Sequence, residues 1–154
     1  MQINKIYDYS IWITMADIKK VKNFISSQQS IQFYQKAKDA FLEVLLKMPE
    51  EHFDIVSENM IIMALHEWVL GQMMHFPNID EWCKIMQLTI PRDMPFDALK
   101  YVIAHEFWHA MQWRNWREWD NDFESGPNEF AQNLWFPRTP EIASYINNYW
   151  RDPE

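Results

Sequence analysis

The stretch Pro95-Phe-Asp-Ala-Leu-Lys100-Tyr-Val-Ile-Ala-His105-Glu-Phe-Trp-His-Ala110-Met-Gln112 decides how the chain is read. Its apolar residues, Ala98, Leu99, Val102, Ile103, Phe107 and Ala110, fall at helical spacing on nearly every side. Asp93 or Pro95 suits the start, because proline is tolerated only in the first turn. A helix apolar almost all round belongs inside a domain, not on its surface. Three polar residues stand within it: His105, Glu106 and His109, in the pattern H-E-x-x-H. Histidines at i and i+4 project from one face a turn apart, so both imidazoles reach a single ion. Glu106 sits about 100° further round the helix, near enough to take a proton from a water beside such an ion without ligating it. Burying these groups is costly unless something satisfies them, and a metal ion does so.

A catalytic zinc site takes three protein ligands and keeps one open position. The metzincin continuation is missing, since Gln112 and Asn115 stand where glycine and a third histidine would be. The downstream candidates are Asp120, Asp122, Glu124 and Glu129. In helical projection Glu124 falls beside Ala131 and Trp135, on the apolar side with Phe130 and Leu134, whereas Glu129 projects towards solvent. Glu124 is therefore the expected third ligand and Glu129 the alternative. Asn128, four residues after Glu124, is placed to hydrogen-bond a ligating imidazole.

His105-Glu-Phe-Trp-His109-Ala-Met-Gln112, followed by Glu124-Ser-Gly-Pro-Asn128-Glu-Phe130-Ala131-Gln-Asn-Leu134-Trp-Phe-Pro137, resembles the ImmA/IrrE family of zinc metallopeptidases. That family joins H-E-x-x-H to a later E-x-E-A-N-x-F-A-x-x-L-L-x-P helix. Glu124, Asn128, Phe130, Ala131, Leu134 and Pro137 match it, while Gly126 and Pro127 replace the expected glutamate and alanine. The resemblance covers residues 95 to 137 and extends to the broader gluzincin clan. It implies zinc bound by His105, His109 and Glu124, with Glu106 as general base.

Upstream, Ile6 to Thr14 alternates like a short strand, and Asp17 to Ile25 forms a short amphipathic helix. Ser30 is placed to cap a longer helix, Ile31 to Lys47, which Pro49 ends. Met60 to Phe76 fits a helical face but is apolar enough for a buried strand, and Gly71 and Pro77 favour the strand. Cys83 to Ile90 is then the return strand of a hairpin. Helical segments Pro127 to Phe136 and Pro140 to Trp150 close the chain. No repeat or linker divides residues 1–154, so one domain is expected. The expected fold class is α+β and zincin-like: a small, mostly antiparallel sheet, a buried H-E-x-x-H helix and a return helix. An edge strand, assigned to Met60–Phe76, would bind an extended peptide beside the cleft.

Composition narrows the function classes. Only two glycines occur, which disfavours a turn-rich β-sandwich. Fourteen Lys plus Arg face 22 Asp plus Glu, a net charge of −8, so no basic surface offers itself to nucleic acid. Cys83 stands alone, which excludes an intrachain disulfide and a thiolate metal cluster. The first residues lack the apolar run of a signal peptide and no stretch is long enough to span a bilayer, so a cytoplasmic protein without membrane association is expected. The nine tryptophans, Trp108, Trp113, Trp116 and Trp119 among them, are first of all core material. The expected function is a zinc-dependent metalloendopeptidase acting on a peptide or protein. The competing class is a catalytically inactive zincin-like binding or virion-associated protein, against which the intact Glu106 argues.

Overall fold

In the computed structural model, which describes residues 14–65, 70–77, 82–112 and 125–149, the first helix starts where a side chain can cap it. Asp17 accepts a hydrogen bond from the Lys20 amide at 3.0 Å and opens α1, Ile18–Ser27, which turns Val21 and Ile25 inward. The longer helix expected from Ile31 is interrupted. Gln29–Ile31 forms a single 3-10 turn, and α2 begins only at Gln35, running Gln35–Leu46. Ser30 does not cap that helix, because its hydroxyl accepts the Ala64 amide at 2.6 Å instead. Pro49 ends nothing alone. It leads directly into α3, Glu50–Ser57, whose first-turn Glu50 and Glu51 suit the positive end of the helix dipole.

Asn59, at φ 51°, turns the chain into the sheet, a conformation asparagine adopts more readily than most residues. The single strand expected over Met60–Phe76 is two: β1, Met60–Leu65, and β2, Gly71–Pro77. With β3, Trp82–Thr89, they form a three-stranded sheet in the order β1-β3-β2. β2 and β3 make the expected antiparallel hairpin, pairing Gly71 with Leu88 and Phe76 with Cys83. β1 pairs with β3 in parallel, Met60 opposite Lys84, so the sheet is mixed and not mostly antiparallel. The strand expected at Ile6 to Thr14 lies, but for Thr14, outside the described residues.

The buried helix is α4, Phe96–Gln112, close to its expected bounds. It meets β2 on one side and α2, α3, α5 and α6 on the others, which makes it the centre of the molecule. Leu99, Ile103 and Phe107 are wholly buried with Phe41 and Leu45 of α2 and Met86 and Leu88 of β3. Phe41 and Phe107 meet edge to face at 5.9 Å. α5, Ser125–Asn133, and α6, Pro140–Tyr149, follow. α5 ends before the expected Phe136 because Trp135 takes a left-handed conformation, φ 68°. The Phe136 amide then bonds back to the Ala131 carbonyl and the Trp135 amide to Gln132, the two hydrogen bonds of a Schellman turn. The architecture is thus α+β, with six α-helices and one small mixed sheet among the described residues. None of the described helices is long and apolar enough to cross a membrane.

The two edges of the sheet differ. Gln28, 7% exposed, spans the outer edge of β1 as a strand would: its amide nitrogen donates to the Met60 carbonyl at 3.2 Å and its oxygen accepts the Ile62 amide at 2.8 Å. Ser30 continues the edge at Ala64. Removing the amide strands two buried backbone groups, so Gln28→Ala is expected to destabilise the fold by about 1–3 kcal/mol. Urea unfolding measures this, and a loss of only a few tenths would show that β1 does not depend on Gln28.

Candidate functional site

α4 carries the site along one stripe. Tyr101, His105 and His109 follow one another at i, i+4 and i+8, and Glu106 lies beside them. All four are held by the packing around the helix: Tyr101, Glu106 and His109 are buried and His105 is half-buried. The Nε2 atoms of His105 and His109 lie 3.1 Å apart, with ring centroids at 4.9 Å. Such a contact admits two chemistries, a shared N–H···N hydrogen bond or a shared cation. Two imidazole nitrogens bound to one tetrahedral zinc at about 2.0–2.1 Å lie about 3.3–3.4 Å from each other, close to the spacing seen.

The opposite nitrogen of His105 is set by α5. Asn128 Oδ1 lies 3.2 Å from His105 Nδ1 and also accepts the Tyr101 hydroxyl. An amide oxygen only accepts, so Nδ1 of His105 carries the proton and Nε2 presents its lone pair. This is the arrangement of a metal-binding histidine with its outer partner. The sequence anticipated Asn128 in this position but gave Tyr101 no role. α5 is pinned against α4 by Phe130, whose ring lies 5.2 Å from Trp108.

From the other side comes β2. Gly71 lies so close to α4 that a Cβ there would stand 2.6 Å from Val102 Cγ1 and 2.8 Å from both Cγ and Oε1 of Glu106. Glycine is what lets the strand reach the carboxylate; in the sequence analysis Gly71 only favours a strand, although a glycine inside a strand also marks a close backbone approach. Further along β2, burial pushes the half-buried His75 imidazole down to about 4, against a hydrogen bond with the His109 backbone that acts to raise it. His75 is therefore neutral near pH 7 and adds no positive charge beside the histidine pair.

Tyr101, His105, Glu106 and Asn128 meet in a cavity of about 220 Å³, and His109 reaches it through His105. Leu70 and Gly71 line it from the sheet, Tyr101, Val102, His105 and Glu106 from α4, and Asn128 from α5, with Arg138 and Ile146 completing the wall. Of the expected site residues, His105, Glu106 and His109 thus come together. Glu124, the residue immediately before α5, lies outside the described residues, as do Asp120, Asp122, Trp113, Trp116 and Trp119. Glu129 is exposed on α5. Among the described residues no three His, Cys, Asp or Glu gather into a metal cage. Arg138 carried no motif signal in the sequence. No protein-family model matches the chain, and neither curated proteins nor solved structures give a match.

The close approach at Gly71 has a measurable consequence. Gly71→Ala must push β2 away from a branched, buried Val102 and from Glu106, and overpacking of this kind costs about 1–3 kcal/mol. Thermal or urea unfolding reads the loss. Unchanged stability would mean that strand and helix are not held this close.

Proposed function

We propose that this chain is a zinc-dependent metalloendopeptidase of zincin type, with His105, His109 and Glu124 holding the ion and Glu106 as general base. The observation that carries the reading is the pair of Nε2 atoms 3.1 Å apart on a buried helix, one of them turned outward by Asn128, with a buried carboxylate beside them. A glutamate and two histidines inside a core cost stability unless each finds a partner, and an ion shared by the histidines is one such partner. The donor set suits zinc, which takes imidazole nitrogen and carboxylate oxygen readily. The similarity to the ImmA/IrrE pattern over residues 95–137 supports the same ligands.

When bound, zinc supplies a Lewis acid that polarises the scissile carbonyl and brings the pKa of water towards neutrality. Glu106, which lines the cavity beside Gly71, would take the proton of the attacking water and hand it to the leaving amine nitrogen. Asn128 keeps His105 in one tautomer and one ring orientation while this proceeds. The substrate strand is read as adding to β2. Gln28 and Ser30 occupy the outer edge of β1, whereas no described strand pairs with the outer edge of β2, and Gly71 brings that strand to Glu106. The peptide-binding strand is thereby narrowed from Met60–Phe76 to Gly71–Pro77. In place of a cytoplasmic assignment, the reading needs only that the chain meet unfolded or extended polypeptide.

The test joins metal content to hydrolysis of unfolded casein. The wild type is expected to bind one zinc per chain and to cleave. Glu106→Gln is expected to keep zinc and lose cleavage by at least about 10²–10⁴-fold, the range typical of a removed general base. Zinc uptake with no cleavage by the wild type would favour the inactive binding protein, and no zinc uptake would end the reading. A second outcome concerns Asn128. Asn128→Ala is expected to weaken zinc affinity about 10–100-fold, as loss of a ligand's outer hydrogen bond does. Competition against a chromophoric chelator measures it, and an unchanged affinity would leave Asn128 as packing alone.

A further inference from the structure

The cavity has one cationic side chain in its wall. Arg138 is the only Lys or Arg among the described residues that lines it, and it forms no ion pair. Lack of an ion pair does not by itself set it apart, since Lys19, Lys22 and Arg92 form none among the described residues either; its place in the cavity wall beside Glu106 does. Arg138 shares its cavity with Glu106 and does not pair even with that.

Its backbone is fixed on both sides. Before it, the Schellman turn at Trp135 ends α5 and drives Phe136 into the core, where Phe136 is 8% exposed. After it, Thr139 accepts the Ile142 amide at 3.3 Å, the hydrogen bond that opens α6. The three residues between these anchors leave the backbone little freedom, so the exposed Arg138 side chain starts from a fixed base at the cavity rim. The wall beside it offers the Tyr101 and Asn128 polar groups and the apolar Ile146 and Leu70.

We infer that Arg138 is a specificity residue of this cavity and selects a carboxylate on the bound peptide. The inference rests on the reading of the cavity as a peptide cleft. A guanidinium presents paired N–H donors that match the two oxygens of a carboxylate, and such charge-assisted bonds exceed neutral ones. On a chain of net charge −8, a carboxylate ligand is favoured at a wall that carries a local cation. The carboxylate belongs either to an acidic side chain of the substrate or to its free C-terminus.

The probes are three hexapeptides of one sequence: one with an internal Glu and capped ends, one with Gln in its place and capped ends, and the Gln peptide with a free C-terminal carboxylate. Each is titrated by calorimetry into the full-length chain as purified, and mass spectrometry verifies that it is intact afterwards. At least one carboxylate peptide is expected to bind about tenfold or more tighter than the neutral one, in keeping with a hydrogen bond to a charged group. Tighter binding of the Glu peptide identifies a side-chain site, and tighter binding of the free-ended peptide a C-terminal one. Arg138→Gln is expected to abolish the preference, and Arg138→Lys to retain part of it. Equal binding of all three by the wild type, no binding at millimolar concentration, or a preference that survives in both variants would overturn the inference. Zinc content and casein hydrolysis are read separately, so a carboxylate preference in a protein without zinc would end the peptidase reading and leave this one standing.

Discussion

Everything in this molecule follows from burying α4 on all sides while it carries Tyr101, His105, Glu106 and His109. A helix packed against β2, α2, α3, α5 and α6 leaves those groups little solvent, so its neighbours must supply partners or room. α5 supplies Asn128, whose oxygen takes both the Tyr101 hydroxyl and the His105 Nδ1 proton. β2 supplies room, since only a residue without Cβ lies so close to Val102 and Glu106. The apolar faces of α4 meanwhile bind the core, through Leu99, Ile103 and Phe107. The same packing that stabilises the fold therefore fixes the imidazoles and the carboxylate, the kind of preorganisation a catalytic constellation requires.

The sheet is arranged around the same helix. A three-stranded sheet has two edges, and an unprotected edge invites another chain. Here the protection falls on one side. A 3-10 turn at Gln29–Ile31 delays to Gln35 the helix expected from Ile31, and Gln28 and Ser30 bind the backbone of β1 instead. Local helix propensity over Ile31–Tyr34 is sacrificed for three tertiary hydrogen bonds. β2 receives no such cover from a described strand, and it is the strand beside the cavity. That asymmetry is what a protein needs if one edge is to remain available for an extended ligand.

α4 was legible because seventeen residues of unbroken apolar periodicity, opened by Pro95, leave no competing pattern. Its H-E-x-x-H spacing carried the site with it, and Asn128 was reachable by counting along the return helix. What escaped notice was non-local. Met60 to Phe76 is apolar enough to read as one element, and the only marks of the interval between β1 and β2 are the polar pair His66-Glu67 and Gly71, too few to outweigh the apolar run. The parallel pairing of β1 with β3 joins residues 24 apart in sequence, Met60 with Lys84, and leaves no short-range trace. α3 is only eight residues long and carries mixed polarity, below the length at which a helical period stands out. The early helix was drawn as continuous because Ser30 is a good capping residue, and a sequence does not reveal that its hydroxyl is engaged 34 residues away.

The turn between α5 and α6 shows how the fold spends stability near the cavity. Trp135 is 80% exposed and stands at φ 68°, where a residue with a Cβ is disfavoured by roughly 1–2 kcal/mol and glycine is the usual occupant. The turn nevertheless holds, because two backbone hydrogen bonds, to Ala131 and Gln132, and the burial of Phe136 over-determine it. Lys100 lies 5.5 Å from the Phe136 ring and ties that residue back to α4. Backbone strain that persists under such constraint is characteristic of functional segments. In this chain the strained turn lies three residues before Arg138, so the geometry that closes α5 also brings Arg138 to the wall of the cavity that Glu106 lines from α4.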